Sequence, residues 1–142
     1  MITRQSTDTI VIHCAATKPT MDVGVEEITD WHKQRGFDTI GYHYVIRRSG
    51  QIEEGRSDEL QGAHAVRVNG TSIGICLVGG VDQNMSWENN FTDAQFAGLK
   101  NLIEDMKSKY NIEKIIGHYE VEPTKECPSF NVPQWLEENG LV

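Results

Sequence analysis

Thr9-Ile10-Val11-Ile12-His13-Cys14-Ala15 is a short run dominated by Ile and Val that ends in a histidine. Residues of this type favour the pleated, crowded surroundings of a sheet, and an apolar run this short suits a strand covered on both faces. Runs of the same character cover residues 42–47, 73–78 and 114–117. Ser49-Gly50, between Val45-Ile46-Arg47 and Gln51-Ile52-Glu53, marks a hairpin. Helical patterns fill the gaps. Over residues 25–35, Glu26 and Glu27 open the segment, His32, Lys33 and Arg35 close it, and Gly36 stops it. Ile28, Trp31 and Arg35 share a face there, which makes Trp31 a core residue and His32 a cationic partner of the helix C-terminus. Over residues 92–110, Thr92 and Gln95 form a capping box, and Phe96, Leu99, Ile103 and Met106 form the buried stripe. A last helix over residues 133–139 has Pro133 in its first turn, Trp135 and Leu136 as its docking residues and Gly140 as its end. Strands and helices interleaved in this way predict an α/β fold: a single domain with a central mixed, mostly parallel sheet flanked by about three helices.

The chain has 142 residues, enough for one core and no second module, so residues 1–142 are expected to form one domain and to act as a monomer. A net charge of -8, from 13 Lys and Arg against 21 Asp and Glu, argues against nucleic-acid binding by phosphate neutralisation. Attraction to an anionic polymer would need a local basic patch, for which Arg47, Arg48, Arg56, Arg67 and Lys125 are the candidates. The polar opening segment and the short apolar run after it fit neither a signal peptide nor a membrane anchor. Cys14, Cys76 and Cys127 cannot all pair, and two of them lie in strand-like runs, so a reduced, cytoplasmic setting is expected.

The chemistry collects at run ends. Alternation along a strand sends His13 and Cys14 to opposite faces, so only one of them faces a cleft. His118 follows Lys114-Ile115-Ile116-Gly117, and a parallel sheet can bring two such strand ends to one rim. Cys127 sits nine residues on, in the Pro-flanked loop Pro123-Thr124-Lys125-Glu126-Cys127-Pro128, where a cysteine has little packing reason to be. Two imidazoles and one thiolate suit a zinc ion that keeps its fourth position open, as catalytic sites do and closed structural sites do not. No His-Glu-x-x-His helix is present to supply a general base of the thermolysin type.

Four blocks carry a family likeness. His13-Cys14-Ala15-Ala16-Thr17, then Gly41-Tyr42-His43-Tyr44-Val45-Ile46, then Gly62-Ala63-His64 with Asn69 and Ser72-Ile73-Gly74-Ile75, and last His118 with Lys125-Glu126-Cys127-Pro128 occur in order. Together they resemble the zinc-dependent N-acetylmuramoyl-L-alanine amidases, a family that includes amidase-type phage lysozymes and peptidoglycan recognition proteins. The resemblance implies the peptidoglycan recognition protein-like fold. It implies Zn²⁺ held by His13, His118 and Cys127, with Tyr42 and Lys125 completing the catalytic site and His64, Asn69 and Thr17 near the substrate. The implied reaction is hydrolysis of the amide between N-acetylmuramic acid and L-alanine of peptidoglycan, by an endolysin that accumulates in the host cytoplasm and acts on the wall after release. Some members of this scaffold are non-catalytic peptidoglycan receptors that lack the cysteine ligand; here Cys127 and Lys125 are both present. The resemblance also brings in a phage RNA polymerase as a further partner, reached through an N-terminal arm that is short in this chain, residues 1–7.

Overall fold

The computed structural model describes residues 1–142. Strands β1 (Thr9–Cys14), β2 (Tyr44–Ile46), β3 (Ile52–Glu54), β4 (Ser72–Leu77) and β5 (Lys114–Gly117) form one sheet in the order β3-β2-β4-β1-β5. All neighbours run parallel except the β2–β3 hairpin, in which Ile46 pairs with Ile52 around the expected turn. Helices α1 (Val25–Gln34), α2 (Asp93–Lys109) and α3 (Val132–Glu138) follow the sequence pattern to within a residue or two at each end.

Strand parity sorts the core. Ile10, Ile12, Tyr44, Ile46, Ile73, Ile75 and Leu77 face α2 and α3, where they pack on Leu99, Ile103, Met106, Val132 and Leu136. Val45, Cys76 and Val78 face the other way, toward Ile28 of α1 and Ile40. His13 pairs with Cys76 across the sheet and therefore lies on this second, thinner side. The buried residues of α1 are Ile28 and His32, a one-turn pair, while Trp31 is only half-buried. His32 is thus not the solvated cation expected at a helix end. Its Nδ1 accepts the Gly41 N–H at 2.8 Å, and burial drops its pKa to about 4.

The five candidate basic residues do not form a patch. Arg56 is buried and donates to the carbonyls of Ile40 and Gln61, while Arg48 donates to those of Val78 and Asn90. Arg47 pairs with Asp22 and Glu53, leaving Arg67 and Lys125 exposed on separate loops. The N-terminal arm lies against the body, with Thr3 bridged to Leu60 and the Arg4 N–H donating to Glu59 O at 2.8 Å. No helix is long and apolar enough to cross a membrane.

Candidate active site

Parallel strands deliver their C-terminal ends to one edge, where ligand sites of α/β sheets collect. β1 delivers His13 to that edge, and β5 delivers His118, in the short 3₁₀ turn His118–Glu120 that follows Gly117. The loop after this turn folds back, so that the Tyr119 N–H donates to Cys127 O at 3.0 Å and Cys127 comes to lie beside His118. Ligand atoms of His13, His118 and Cys127 all lie within 4.8 Å of one another, and the His13 and His118 rings are 4.5 Å apart. A cleft of about 430 Å³ is built around them, and its walls include Tyr42, His64, Asn69, His32, Glu122 and Lys125.

Hydrogen bonding decides which nitrogen of His13 keeps a lone pair that could hold a cation. Ser72 Oγ donates to Val68 O at 2.7 Å, so toward His64 Nε2, 3.4 Å away, the hydroxyl can only accept. His64 Nε2 therefore carries the proton and its Nδ1 is an acceptor, which takes the His13 Nε2–H at 2.8 Å. His13 Nδ1 is left with a free lone pair. Room for this chain comes from Gly74, since a Cβ there would lie 2.6–2.8 Å from the His64 ring. Asn69 Oδ1 accepts the N–H groups of His64 and Ala65 at 3.0 and 2.9 Å, which fixes the loop that carries His64.

The electrostatics favour neutral imidazoles. Burial lowers the pKa of His13 well below its ordinary value, and the neighbouring His64 and His118 add to that effect. His118 is lowered by burial too, opposed by Glu122. His118 Nε2 is buried without a hydrogen-bond partner, although Glu122 Oε1 lies 3.4 Å away. Cys127 Sγ accepts the Cys14 N–H at 3.0 Å. Burial, with the neighbouring Cys14, pushes its thiol upward, a balance that a bound cation would reverse. A pair of lone-pair-bearing imidazoles, one of them unpartnered, beside a sulfur already aligned by a backbone N–H fits a borderline-soft divalent cation.

The Tyr42 ring packs at a tilt against those of His13 and His32, with centroids 5.0 and 5.3 Å apart. Burial, with the nearby Cys76, Cys127 and Cys14 thiols, raises its pKa well above the normal phenol value, so it remains a donor. Lys125 is exposed on the cleft rim. Thr17 does not line the cleft. It is buried, its hydroxyl accepts the Gly79 N–H at 2.8 Å, and it holds the turn through Gly79 and Gly80, whose φ values are 127° and 105°. His32, which the sequence reads only as a helix-end cation, lines the cleft together with Glu122 and Trp87, which carry no sequence signal. The one-turn spacing from Ile28 was the available signal for His32.

The sequence profile that describes N-acetylmuramoyl-L-alanine amidases matches residues 3–130. The chain is 48% identical to the endolysin of Klebsiella phage KP32 and 47% identical to that of Escherichia phage T7, in each case over 98% of this chain and 91% of the relative. Among solved structures, an N-acetylmuramoyl-L-alanine amidase from Clostridium intestinale URNW superposes with a TM-score of 0.82 at 30% identity, covering 96% of this chain and 87% of its own. Bumblebee PGRP-SA, 23% identical, shares the fold with a TM-score of 0.76. Profile, relatives and architecture agree that this chain belongs to the N-acetylmuramoyl-L-alanine amidase family and is an enzyme that hydrolyses the amide joining N-acetylmuramic acid to L-alanine in peptidoglycan.

Proposed function

We propose that the chain is a phage endolysin: one amidase domain over residues 1–142 that acts as a monomer, with Zn²⁺ held by His13, His118 and Cys127. The observation that carries this reading is the triad of two imidazoles and one thiol within 4.8 Å, His13 and Cys127 buried and His118 partly so, lining one cleft. Three protein ligands leave a coordination position for water, the mark of a catalytic site. When bound, the ion supplies a Lewis acid for the scissile carbonyl and an acidified water near neutral pH.

The chain's own groups do the rest. His13 is held in one tautomer by His64, and Cys127 by the Cys14 N–H. Tyr42, a phenol at every working pH, donates a hydrogen bond to oxygen on the reacting carbonyl or water. Lys125 places a positive charge on the rim beside His118, where it stabilises the oxyanion of the tetrahedral intermediate. His64 and Asn69 act through this framework, as positioning residues behind His13 and its loop, while Thr17 secures the neighbouring turn. Peptidoglycan is the partner of this reading. The surface that an RNA polymerase partner would engage includes the arm over residues 1–7, and that arm is tied to Glu59 and Leu60.

The deciding experiment digests purified peptidoglycan with metal-loaded protein and measures new L-alanyl amino termini together with bound zinc. Release of amines from intact glycan at one zinc per chain is expected; amine release by metal-free protein would remove the ion from the reaction.

A further inference from the structure

All three cysteines are free thiols, and two of them meet although 113 residues separate them. Cys127 Sγ lies 3.0 Å from the Cys14 nitrogen and 3.8 Å from the Cys14 oxygen, directly over the backbone that carries the Cys14 side chain. The two sulfurs are also hydrogen-bond partners of one another. A disulfide needs Cα atoms within about 7 Å and Cβ vectors that converge. A sulfur seated on its partner's peptide N–H meets the first demand, and contact between the sulfurs meets the second. Both backbones are pinned, since the Ala15 N–H after Cys14 donates to Leu77 O at 2.9 Å and Cys127 O accepts the Tyr119 N–H at 3.0 Å. Room for the Cys14 sulfur comes from Gly80, where a Cβ would stand 2.6 Å from it.

Cys14 and Cys127 both line the cleft, where a small solute reaches them, whereas Cys76 is fully buried behind the sheet and borders no part of it. Amide hydrolysis gives the Cys14 thiol no task. We propose that Cys14 and Cys127 form an oxidative modification site, which a hydroperoxide closes to a disulfide when no metal is bound. The Cys127 sulfur attacks the peroxide, the O–O bond breaks, one oxygen leaves as water and the sulfur becomes a sulfenic acid. The Cys14 sulfur then attacks it, the S–S bond forms, the S–O bond breaks, and the departing hydroxyl takes the Cys14 proton to give a second water. Two thiols have lost two electrons, and the peroxide has been reduced to two waters. The bridged chain lacks the Cys127 donor until a thiol reductant reopens it. A cation on that sulfur blocks the first step. Protection by metal rests on the zinc reading of Cys127; the bridge itself does not.

The test treats metal-stripped protein with hydrogen peroxide, alkylates the remaining thiols under denaturing conditions and maps the unreduced peptides by mass. A linked pair holding Cys14 and Cys127 should appear, with Cys76 as the one alkylated cysteine. Dithiothreitol should return all three thiols and the capacity to take up zinc. Cys14→Ser, which keeps the size and the backbone contacts, should give no bridge and let Cys127 run on to the sulfinic acid, a gain of two oxygens that dithiothreitol does not reverse. Zinc-loaded protein should form the bridge at least about ten-fold more slowly, because a ligated sulfur is withdrawn from attack. Wild-type chain that stays reduced, that gains oxygen without bridging, or that links Cys76 would overturn the proposal. A Cys14–Cys127 bridge that forms equally fast with and without zinc would leave the modification site standing and defeat the zinc reading of Cys127 instead.

Discussion

Cys127 is the residue on which the proposed metal centre turns. Serine in its place keeps the size but loses the thiolate, so Cys127→Ser should lower zinc affinity by at least about 100-fold and abolish amine release, read by chelator competition and by peptidoglycan digestion. Lys125 should behave differently. Lys125→Ala is expected to keep the metal and lose roughly 100-fold or more in kcat, because an exposed rim cation assists only the charge that develops during reaction. Between these two stands the chain from His13 through His64 to Ser72. Ser72→Ala removes the acceptor that fixes the His64 proton, and zinc affinity should fall by about 10-fold, a typical cost for an outer partner of a metal-binding histidine. The check is a ¹⁵N spectrum of metal-free protein: wild-type His13 should show its proton on Nε2, and the variant should show a mixture. A single Nε2–H form in both proteins would discount the chain. The residue pattern exposed the donors but not this chain, since His13 lies 51 residues from His64 and meets it only through the pairing of β1 with β4. Thr17 closes the first sequence block, and the structure gives its hydroxyl a partner that the pattern does not show, the Gly79 N–H.

Among the elements, α2 adds to its apolar contacts with the sheet a pair of hydrogen bonds from Gln95. Thr92 Oγ1 accepts the Gln95 N–H and Gln95 Oε1 accepts the Thr92 N–H, both at 3.0 Å, which closes the capping box read from the sequence. Gln95 then does more than a cap requires: it is fully buried, and its Nε2 donates to Ile46 O at 3.1 Å and Val78 O at 2.8 Å, clamping β2 to the end of β4. Thr92→Ala should therefore cost about 1 kcal/mol, whereas Gln95→Ala should cost roughly 2–4 kcal/mol by removing two buried hydrogen bonds and leaving a cavity; urea unfolding measures both. Element type and order were legible because each strand is a compact β-branched run and each helix carries its own caps. Side-chain duties across elements were not, as His32 illustrates. Its place near a helix end suggested a solvated cation, but the packing of α1 on Ile40 and Gly41 buries it as a neutral acceptor.

At the scale of the whole molecule, the buried histidines set the acid limit. His32 and His43 are both held at about 4 by burial, against 6.5 when solvated. Between those values the unfolded chain takes up protons that the folded chain refuses, so stability is full above pH 6.5 and declines as pH falls toward 4, by up to roughly 3 kcal/mol per histidine. Denaturant midpoints at pH 7 and pH 5 should show this fall, and His43→Asn should flatten the slope. Metal should act in the opposite sense. Because the native fold alone assembles the triad, zinc at 100 times its dissociation constant should add about 2.7 kcal/mol, seen as a rise in Tm that a chelator reverses.

The order of strands bears on when the enzyme can first act. β1 is made at the start of synthesis, yet it sits inside the sheet, with Thr9 paired to Ser72 on one side and to Lys114 on the other. A ribosome adding about 5–20 residues per second must pass β5 before that place is filled. His118 and Cys127 emerge later still. A nascent chain that has not yet reached Cys127 thus lacks part of the proposed metal triad, and on that reading hydrolysis waits until synthesis has passed it.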